Sequence, residues 1–548
     1  MMSSEIVDAV VVGCGPVGAI TANYLGLHGL RTLIIERELQ ENQQPRAFSC
    51  DDETQRNFQA AGLVGELAVA LFPCQSMDYI DGQKQVLGTA AFSELNFGYG
   101  HPALSFFSQP QLEGVLRQGL GRFPHVELRL GHEVESFTQD AECVTVHVKD
   151  RRTGRVSPVR TRYLLGCDGG HSDVRQRMGV DMEGISYGEP WITLACTTET
   201  PEPVFSYYVC DPERPGFATR GPLNEIRMDF LVRENERSDI IDTKEFVDKL
   251  LGQFVDPKQV KVTRAAVFTF HSKVAARWRD GRVFLLGDAA HLMPPFMGQG
   301  LCSGIRDAMN LTWKLAQVRR GAAGDALLDT YERERRPHVV NMIKATLMMG
   351  RVFLSRSKFV ASLRNALLRW SYKNVAGARN FIREFKAKPK MFIPQGFIAS
   401  GRYKDNAPEG QYFLQPKVGL AGGRTVPLDD VMGNRFAVLS LADVTEPVRQ
   451  SAEALARELG GVPLRVLPAE RAAEAGPGDV VDVEGKLAAW LSRFHADTVL
   501  LRPDRYVYGV SRGSAIEKLR EQVRPFIHRS EAEPVEERPT HVSLTSNA

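Results

Sequence analysis

Short apolar runs alternate with a glycine turn and a helical pattern at the start of the chain. The run Ile6–Val12 leads into Gly13, and residues with helical periodicity follow it. A second apolar run, Thr32–Ile35, ends at Glu36. Strand, glycine turn, helix and strand in this order predict a βαβ unit with a parallel sheet.

A related pattern recurs near the middle of the chain. The apolar run Arg282–Leu286 ends at Gly287 and Asp288, and after a loop with two prolines a long amphipathic helix opens near Gly300. A carboxylate in this place lies at the carboxyl edge of a sheet, where α/β proteins bind ligands. The helix directs its unpaired N–H groups and its positive dipole end towards the same edge. A hydroxyl acceptor beside a positive end suits a flavin nucleotide.

Alternating polar and apolar residues replace these patterns between about Glu183 and His271. The runs Ile192–Thr197, Phe205–Val209 and Ile226–Val232 indicate a largely antiparallel sheet. Because parts of one nucleotide-binding domain flank this insert, the sheet would cover a pocket over the cofactor.

The predicted fold is α/β with an α+β insert. A Rossmann-like FAD-binding domain is predicted in two parts, 1–182 and 272–375, with a substrate-binding sheet inserted between them at 183–271. A connecting segment (376–430) and a thioredoxin-like domain (431–528) follow. The chain ends in a polar tail (529–548) that we expect to be disordered. No cysteine follows Cys302, so the thioredoxin-like unit cannot perform thiol–disulfide chemistry, and we expect a structural or dimer-forming role for it.

Charge and composition narrow the class of protein. Lys and Arg number 68 against 66 Asp and Glu, a net charge of +2, which offers no electrostatic case for nucleic acid or an anionic membrane surface. The longest apolar runs are far too short to span a bilayer, and the polar start MMSSEIVD does not resemble a secretory signal. A cytoplasmic location is expected. The eight cysteines are scattered without a CxxC pair, so neither a metal site nor a disulfide framework is expected.

The segment from Gly13 to Gly18 has the GxGxxG spacing of dinucleotide-binding turns. Gly13 permits the tight turn, Gly15 lets the backbone approach a pyrophosphate, and Gly18 allows close packing of helix on strand. Glu36, at the end of the second strand, can accept hydrogen bonds from ribose hydroxyls. A GxGxxG by itself also occurs as a tight turn in unrelated proteins. The flanking strands and Glu36 favour dinucleotide binding here.

Three motifs together carry a family resemblance. GxGxxG near residue 13, CDGG near 168 and GDAAH near 288 occur in the order and spacing found in the aromatic-ring flavoprotein monooxygenases, which include p-hydroxybenzoate hydroxylase and phenol hydroxylase. From Val11 to Tyr508 the chain resembles this family. It looks most similar to the 3-(3-hydroxyphenyl)propionate hydroxylase branch, through the segments ANYLG (22–26), CDPERP (210–215), FLQPKV (413–418) and RPDRYV (502–507).

The resemblance implies FAD as cofactor, NADH or NADPH as co-substrate, O2, and a set of FAD-contacting residues. The residues implied are Gly13, Gly15, Pro16, Val17, Gly18, Glu36, Arg37, Arg46, Gln109, Asp168, Gly169, Gly287, Asp288, Pro294, Gly298, Gly300, Leu301 and Cys302. Among them, Asp288 would hold the ribityl chain, and the Gly298–Cys302 segment would line the isoalloxazine edge. Relatives commonly carry Asn where Cys302 stands, so only the backbone contact is carried over there.

The implied reaction is hydroxylation of a phenolic ring through a flavin C4a-hydroperoxide. Water would destroy that species, so the substrate sheet must exclude solvent. A phenol reacts best as its phenolate, so a general base or a proton relay is useful. Only one GxGxxG is present, and in the family the reduced nicotinamide binds transiently at a groove of the same protein.

The substrate-binding residues are weakly marked in the sequence. Seven residues are candidates for phenol deprotonation or carboxylate binding: His101, Tyr187, Tyr207, Tyr208, Arg220, Arg227 and His271. Each of them is also compatible with the role of an ordinary sheet or surface residue. Asp51 and Asp52 are expected to cap the next helix, and His291 to support the FAD loop. Residues 47–50 read Ala-Phe-Ser-Cys, where the hydroxyphenylpropionate branch has Ala-Ile-Gly-Ile, a departure that favours a different ring substrate.

The sequence therefore supports four hypotheses about the function. A small phenolic substrate like 3-(3-hydroxyphenyl)propionate, in aromatic degradation, is the first. A substituted catechol such as a nitrocatechol, with release of nitrite, is the second, and a polyketide phenol is the third. The fourth is a flavin-binding sensor or carrier without turnover. A homodimer is compatible with each of them.

Overall fold

The computed structural model describes residues 6–40, 47–199, 204–221, 224–233, 236, 243–400 and 406–527. The fold is mixed α/β. The strands of its first part are β1 (Val7–Val12), β2 (Thr32–Glu36), β3 (Ser49–Asp51), β4 (Leu71–Pro73), β5 (Met77–Ile80), β6 (Val86–Ala90), β7 (Leu104–Phe107), β8 (Val126–Leu130), β9 (His132–Gln139), β10 (Val144–Asp150) and β11 (Val156–Gly166). The helices of this part are α1 (Pro16–Leu27), α2 (Asp52–Ala60), α3 (Val64–Leu67), α4 (Gln109–Gln118) and α5 (Asp173–Arg177).

The remaining elements follow in the same manner. The strands are β12 (Met182–Thr198), β13 (Ser206–Val209), β14 (Gly216–Arg220), β15 (Glu225–Leu231), β16 (Val260–Ala275), β17 (Arg279–Asp280), β18 (Val283–Leu285), β19 (His291–Leu292), β20 (Lys417–Gly419), β21 (Thr425–Pro427), β22 (Ala437–Leu441), β23 (Val462–Pro468), β24 (Asp479–Asp482), β25 (Thr498–Leu501) and β26 (Val507–Ser511). The helices are α6 (Lys244–Leu251), α7 (Gln299–Arg319), α8 (Ala326–Phe353), α9 (Lys358–Asn374), α10 (Ala376–Arg383), α11 (Leu428–Met432), α12 (Glu446–Glu458), α13 (Lys486–Arg493) and α14 (Ile516–Val523).

The first sheet places three loops side by side. Its order is β17-β18-β11-β1-β2-β8, and β1 pairs in parallel with both β2 and β11, while β11 pairs in parallel with β18. These strands are almost wholly apolar and buried, as expected for a parallel sheet covered on both faces. The carboxyl ends of β1, β11 and β18 therefore meet at one edge, which joins the GxGxxG, CDGG and GDAAH segments.

The second sheet forms a wall beside that edge. Its order is β19-β16-β12-β15-β14-β13-β5-β6, and all its pairs are antiparallel except that of β13 with β5. The antiparallel character predicted for 183–271 is confirmed. The boundary predicted at 183 leaves out β5, which pairs with β13 more than a hundred residues away, and β6, which pairs with β5. Their short runs carry no alternating pattern, so only tertiary pairing assigns them to this sheet.

The C-terminal unit has its own seven-stranded sheet, of order β21-β20-β24-β23-β22-β25-β26. One apolar core lies within this unit, and a second is shared with Trp313 of α7 and Leu327 of α8. A buried ion network ties it to the helices beside the first sheet. Glu334 of α8 accepts hydrogen bonds from Lys314 of α7 at 2.7 Å and from Arg502 of the C-terminal unit at 2.7 and 2.9 Å, and all three side chains are fully buried. Asp504 also pairs with Arg502, at 2.6 Å. Two anions thus balance two cations at this junction.

The structure also bears on the predictions for the cysteines and for membrane-spanning segments. All eight cysteines are unbonded and buried, as expected for small apolar residues. Among the described helices, none combines the length and the apolar character that a bilayer-spanning segment needs. The predicted tail, 529–548, lies outside the described residues.

Candidate cofactor and substrate site

A cavity of about 530 Å³ opens at the shared edge of the first sheet and continues under the second. One half is lined by the loops after β1, β2, β11 and β18, and the other half by the second sheet and by aromatic side chains. This size lies within the range of pockets that enclose organic ligands.

The turn after β1 is shaped by its glycines. Gly13 has a φ of +92°, and a Cβ there would meet the Cys167 carbonyl oxygen at 2.6 Å. A Cβ on Gly18 would meet the Gly13 carbonyl oxygen at 1.9 Å. At Gly15, by contrast, a Cβ would have no atom within 4 Å, because this residue faces the cavity. Two of the three glycines therefore serve packing, and one leaves room for a ligand beside the start of α1.

The acidic residue after β2 lies at the same end of the cavity. Glu36 accepts hydrogen bonds from the backbone N–H of Cys14 at 2.7 Å and of Glu38 at 2.9 Å. It lines the cavity together with Pro16, Val17 and Arg37. The carboxylate is thus held in place beside the glycine turn.

The CDGG segment contributes its backbone more than its carboxylate. Asp168 accepts hydrogen bonds from the Ser172 hydroxyl at 2.6 Å and from the Val174 N–H at 3.0 Å, and burial raises the pKa of this carboxyl. Asp168 and Gly169, with a φ of +79°, line the cavity. The carboxylate oxygens are therefore engaged in holding the start of α5.

Asp288 follows β18, and its side chain is exposed in the cavity wall. The preceding Gly287 donates its N–H to Asp307 at 3.1 Å, and Asp307 also lies 2.7 Å from His291 and accepts from Arg335 at 2.8 Å. All these partners are buried. His291 therefore belongs to the network that fixes the Asp288 loop against α7, the supporting place expected for it.

The amino end of α7 closes this half of the cavity. Gly298, with a φ of +64°, precedes the helix and lines the cavity with Gly300 and Leu301. A Cβ on Gly300 would have no atom within 4 Å. Pro294 and Cys302 do not line the cavity, and the Cys302 sulfur lies 3.6 Å from the Gly298 carbonyl oxygen. Burial raises the pKa of this thiol to about 12, so it stays neutral.

Two other FAD candidates have different outcomes. Gln109 lines the cavity, accepts a hydrogen bond from the Ala47 N–H at 2.7 Å and donates one to Glu113 at 2.7 Å. It thereby holds the loop that precedes β3. Arg46 lies outside the described residues.

The other half of the cavity is an aromatic chamber under the second sheet. The side chains that line it include Phe48, Met77, Phe92, Phe97, Phe106, Trp191, Tyr208, Phe217, Phe296, Leu354 and Phe385. Tyr208 is buried, and its hydroxyl donates to the Phe296 carbonyl oxygen. Burial raises the pKa of Tyr208 well above its ordinary value, so it cannot serve as a phenolate base.

The sequence-based substrate candidates divide into two groups. Tyr208 and Arg227 line the chamber, and the Arg227 Nε lies 3.1 Å from Asp229, a second lining residue. The others do not line it, and they are His101, Tyr187, Tyr207, Arg220 and His271.

The residues outside the chamber have contacts of their own. The His101 Nε2 lies 2.8 Å from the Gln59 side-chain oxygen, and the His271 Nδ1 lies 3.0 Å from the Ser186 hydroxyl. Arg220 donates to Asn224 at 2.7 Å. Tyr207 stacks on Phe205, and Tyr187 packs against the Trp191 cluster. In an antiparallel sheet alternate residues face opposite sides, and sequence gives no sign of which side holds the ligand.

A buried charged cluster at the chamber wall has no counterpart among the sequence-based candidates. Lys388 lies 3.1 Å from Asp51, 3.3 Å from Asp52 and 3.4 Å from Glu53, and Arg306 pairs with Asp51 and Glu53. Asp51 and Lys388 line the chamber. As expected, Asp51 caps α2, accepting from the Thr54 N–H at 3.0 Å. Lys388 comes from the predicted connecting segment, where sequence offers no pattern that would mark it.

Three carboxylates against two cations leave this cluster short of one positive charge. Burial raises the pKa of Asp52 to about 7, with Glu53 and Asp51 adding to the shift and Lys388 opposing it. Asp51 has its pKa held far below the ordinary value, because Arg306 and Lys388 outweigh its burial. The Asp52 Oδ2 has no hydrogen-bond partner among the described residues. The missing charge is thus supplied by a proton on Asp52.

Asp52→Asn should reduce the loss of unfolding stability that the wild type shows as pH rises from acid to neutral. The carboxyl binds its proton more tightly in the folded protein, with a pKa of about 7 against 3.8 in an unfolded chain, so the wild type loses stability as pH rises through this window. Asparagine does not titrate. We expect urea unfolding midpoints of the variant to exceed those of the wild type at pH 8 by more than at pH 5. Asp443→Asn, at a side chain that is 83% exposed, is the control, and equal pH dependence of variant and wild type would contradict the assignment.

Sequence comparison identifies relatives along nearly all of the chain. The FAD binding domain profile matches residues 6–346, and the HcaD C-terminal domain profile matches residues 410–525. The chain is 38% identical over 513 residues, 92% of its length and 89% of the relative's, to the 3-(3-hydroxy-phenyl)propionate/3-hydroxycinnamic acid hydroxylase of Mycobacterium sp. strain JLS. It is also 38% identical over 520 residues, 93% of its length and 91% of the relative's, to the protein of the same name in Mycolicibacterium smegmatis.

Solved structures agree on the fold. The flavin-dependent monooxygenase PieE, solved in complex with FAD and substrate, superposes with a TM-score of 0.78 at 23% identity. The match covers 95% of this chain and 98% of that one. At 23% identity the similarity supports a shared fold, which is the fold of FAD-dependent monooxygenases.

Proposed function

This chain belongs to the FAD binding domain family, together with the 3-(3-hydroxy-phenyl)propionate/3-hydroxycinnamic acid hydroxylases, and we propose from this premise that it is an FAD-dependent, NAD(P)H-consuming monooxygenase of phenolic rings. One observation carries the proposal. A single cavity of about 530 Å³ runs from Gly15 and Asp288 into a chamber lined by aromatic side chains.

The residues at the sheet edge fit FAD. Gly15 and Gly300 leave open space where a pyrophosphate and a ring edge would lie. We assign Glu36 to the adenosine ribose and Asp288 to the ribityl chain, because each carries a carboxylate and lines the cavity. When bound, FAD supplies the redox and oxygen chemistry. The amino end of α7 would stabilise negative charge on the ring by roughly 0.3–1 kcal/mol, or more where buried.

The protein's own part in the reaction is to exclude water and to manage one proton. The aromatic lining keeps the chamber apolar. Asp51 and Lys388 are the charged groups of the cluster that a bound phenol can reach, and Lys388 connects Asp51 to Asp52. A proton leaving the phenol hydroxyl can be held in this cluster, because Asp52 changes its protonation state near neutral pH.

The leading substrate is a phenol with a short acidic side chain, like 3-(3-hydroxyphenyl)propionate. Arg227 is the cation of the sheet wall that could hold the carboxylate. Asp229 already pairs with it, so the carboxylate must compete with an internal partner. A substituted catechol such as a nitrocatechol is the second candidate. It is favoured by Phe48 and Ser49, which line the chamber at the positions where the sequence departs from the hydroxyphenylpropionate pattern.

A substrate panel tests the proposal. With 3-(3-hydroxyphenyl)propionate we expect NADH or NADPH oxidation, oxygen uptake and hydroxylated product in equal amounts. Peroxide without product from this acid, together with nitrite from a nitrocatechol, would move the assignment to the second substrate. If NAD(P)H failed to reduce the bound FAD in the presence of every phenol tested, the result would instead indicate a sensor or carrier.

Arg227→Met provides the matched control for this panel. It should raise KM for the phenolic acid by about ten-fold or more, the size of one charge-assisted hydrogen bond. For a neutral catechol, KM should stay unchanged. Equal KM increases for both substrates would mean that Arg227 supports the chamber without contacting a carboxylate.

The C-terminal unit completes the proposal. We assign it a thioredoxin-like fold, supported by the βαβ unit β22-α12-β23, the antiparallel strands β25 and β26, and the final helix α14. Its role is structural, in keeping with the buried junction at Glu334. A homodimer and a cytoplasmic location are part of the same proposal.

A further inference from the structure

The hairpin formed by α9 and α10 carries an apolar surface that faces outwards. Phe359, Leu363, Leu367 and Trp370 are 79%, 61%, 59% and 59% exposed. Their spacing of four, four and three residues puts all of them on one face of α9. A surface helix of a globular protein normally turns such a stripe towards the core.

The opposite face of α9 fixes the helix to the protein. Ala361 is fully buried there, and Arg364 donates to the backbone carbonyls of Phe353 at 2.8 Å and Cys210 at 2.5 Å. Tyr372 contacts β6, whose Gly88 lies against its ring. Polar contacts therefore anchor the helix while its apolar face stays outside. Contiguous exposed apolar surface of this kind marks a site of interaction.

Charge within the chain segment that carries the stripe is almost entirely positive. Residues 344–390 contain twelve Lys and Arg and a single acidic residue, Glu384, although the whole chain carries only +2. Some of these cations pair with acids of neighbouring elements, as Arg356 does with Glu189 and Lys358 with Glu213.

Other cations of the segment are not neutralised in this way. Lys344, Arg351, Lys373 and Lys390 are exposed, and none of them has an acidic partner within the described part of the chain. Among them, Lys373 follows Trp370 by three residues on the same face of α9, so an exposed positive charge adjoins the apolar stripe there. A second copy would face it with the same charge and be repelled, whereas an anionic surface would be attracted.

We propose that the α9–α10 hairpin docks on an anionic phospholipid surface. Phe359, Leu363, Leu367 and Trp370 would enter the boundary between headgroups and acyl chains, and the flanking Lys and Arg would contact lipid phosphates. A helix with aromatic and leucine residues on one side and Lys and Arg beside it is typical of proteins that lie in this interface. No part of the chain crosses the bilayer in this arrangement.

The hairpin is flanked in sequence by two residues of the chamber wall. Leu354 directly follows α8, Phe385 lies two residues after α10, and both line the cavity. An uncharged phenol would concentrate at a membrane interface, so for such a substrate, in contrast to the leading phenolic acid, a docked hairpin would place the chamber beside a local supply. This link to catalysis rests on the proposed function, whereas the docking itself does not.

Co-sedimentation of the full chain, loaded with FAD, tests the docking. The vesicles are phosphatidylcholine with phosphatidylglycerol, and phosphatidylcholine alone. We expect at least about ten-fold stronger partitioning to the anionic vesicles, weakened by high salt. The double variant Leu363→Asp/Trp370→Asp should lose about ten-fold or more of this partitioning, while its absorbance spectrum, circular dichroism and turnover of a soluble phenol stay those of the wild type.

The control replaces apolar residues that are exposed outside the hairpin. Val69→Asp/Val483→Asp should bind vesicles as the wild type does. Equal binding to both kinds of vesicle, or unchanged binding of the Leu363/Trp370 variant, would overturn the proposal. So would light scattering that shows a dimer which this variant dissociates, because the stripe would then be covered by a second copy. Failure of the substrate panel would leave these outcomes unaffected.

Discussion

Gly15→Val should yield a folded protein that does not retain FAD. A Cβ at Gly15 meets no protein atom within 4 Å, and the residue has an extended backbone, with φ −69° and ψ −176°, which valine accepts. The added methyl groups would occupy the space where a pyrophosphate approaches the start of α1. We expect FAD affinity to fall by about 100-fold or more, equivalent to about 2.7 kcal/mol. FAD titration by flavin fluorescence, with circular dichroism to verify folding, measures this.

Two other glycines make the result specific. Gly121→Val also adds its side chain in open space, away from the cavity, and should bind FAD as the wild type does. Gly18→Ala should fail to fold, because its Cβ would lie 1.9 Å from the Gly13 carbonyl oxygen. A Gly15→Val protein that is as yellow as the wild type would remove the FAD site from this turn.

Glu334→Gln should cost about 3–5 kcal/mol of unfolding free energy, the range found when one partner of a buried ion network is removed. Glutamine keeps the shape of the side chain, so the acceptor for the Phe397 N–H at 2.8 Å can remain. The negative charge is lost, and Lys314 and Arg502 are then left with Asp504 alone in a fully buried place. The urea midpoint, followed by fluorescence of Trp313 and the other tryptophans, reports the loss.

The pH dependence of stability provides a second measure of this network. Burial alone would raise the pKa of Glu334, but Arg502 and Lys314 lower it to about 2. A carboxylate with a lowered pKa stabilises the fold above its unfolded value, near 4.5, and this stabilisation is lost as pH falls from there towards 2. The variant should lack this part of the acid transition.

A surface pair supplies the comparison for the network. Arg383 and Glu94 are exposed partners at 2.5 Å, and Arg383→Met should change stability by at most about 1 kcal/mol. If Glu334→Gln were as stable as Arg383→Met, the junction would not depend on its charges.

The cofactor half of the site could be predicted from sequence because its chemistry is local. Gly13, Gly15, Glu36 and Asp288 each lie at the end of an apolar strand that sequence marks clearly, and the rules of parallel sheets bring such ends together. Even there, the sequence did not show which residues line the cavity and which hold neighbouring elements in place. The carboxylate of Asp168 holds the start of α5, and Cys302 is buried without lining the cavity.

The substrate half could not be predicted in this way, because its walls come from distant segments. Phe48, Tyr208, Arg227 and Lys388 belong to four separate parts of the chain, and no spacing relates them. Of the substrate candidates, Tyr208 and Arg227 line the chamber, while His101 and His271 do not. Which face of a strand looks inwards follows from pairings such as that of β13 with β5, which only the folded chain contains.

By itself, the sequence determined the family, the cofactor and the edge of the sheet to which we assign it, since these depend on glycines and carboxylates at the ends of recognisable strands. The tertiary structure decided the rest. It gathered Asp51, Asp52, Glu53 and Lys388 into one buried cluster, where desolvation and mutual repulsion set the protonation of Asp52. It also turned the apolar face of α9 outwards beside a concentration of cations that a net charge of +2 conceals. Burial and charge at a site depend on every segment packed around it, and that packing is a property of the fold.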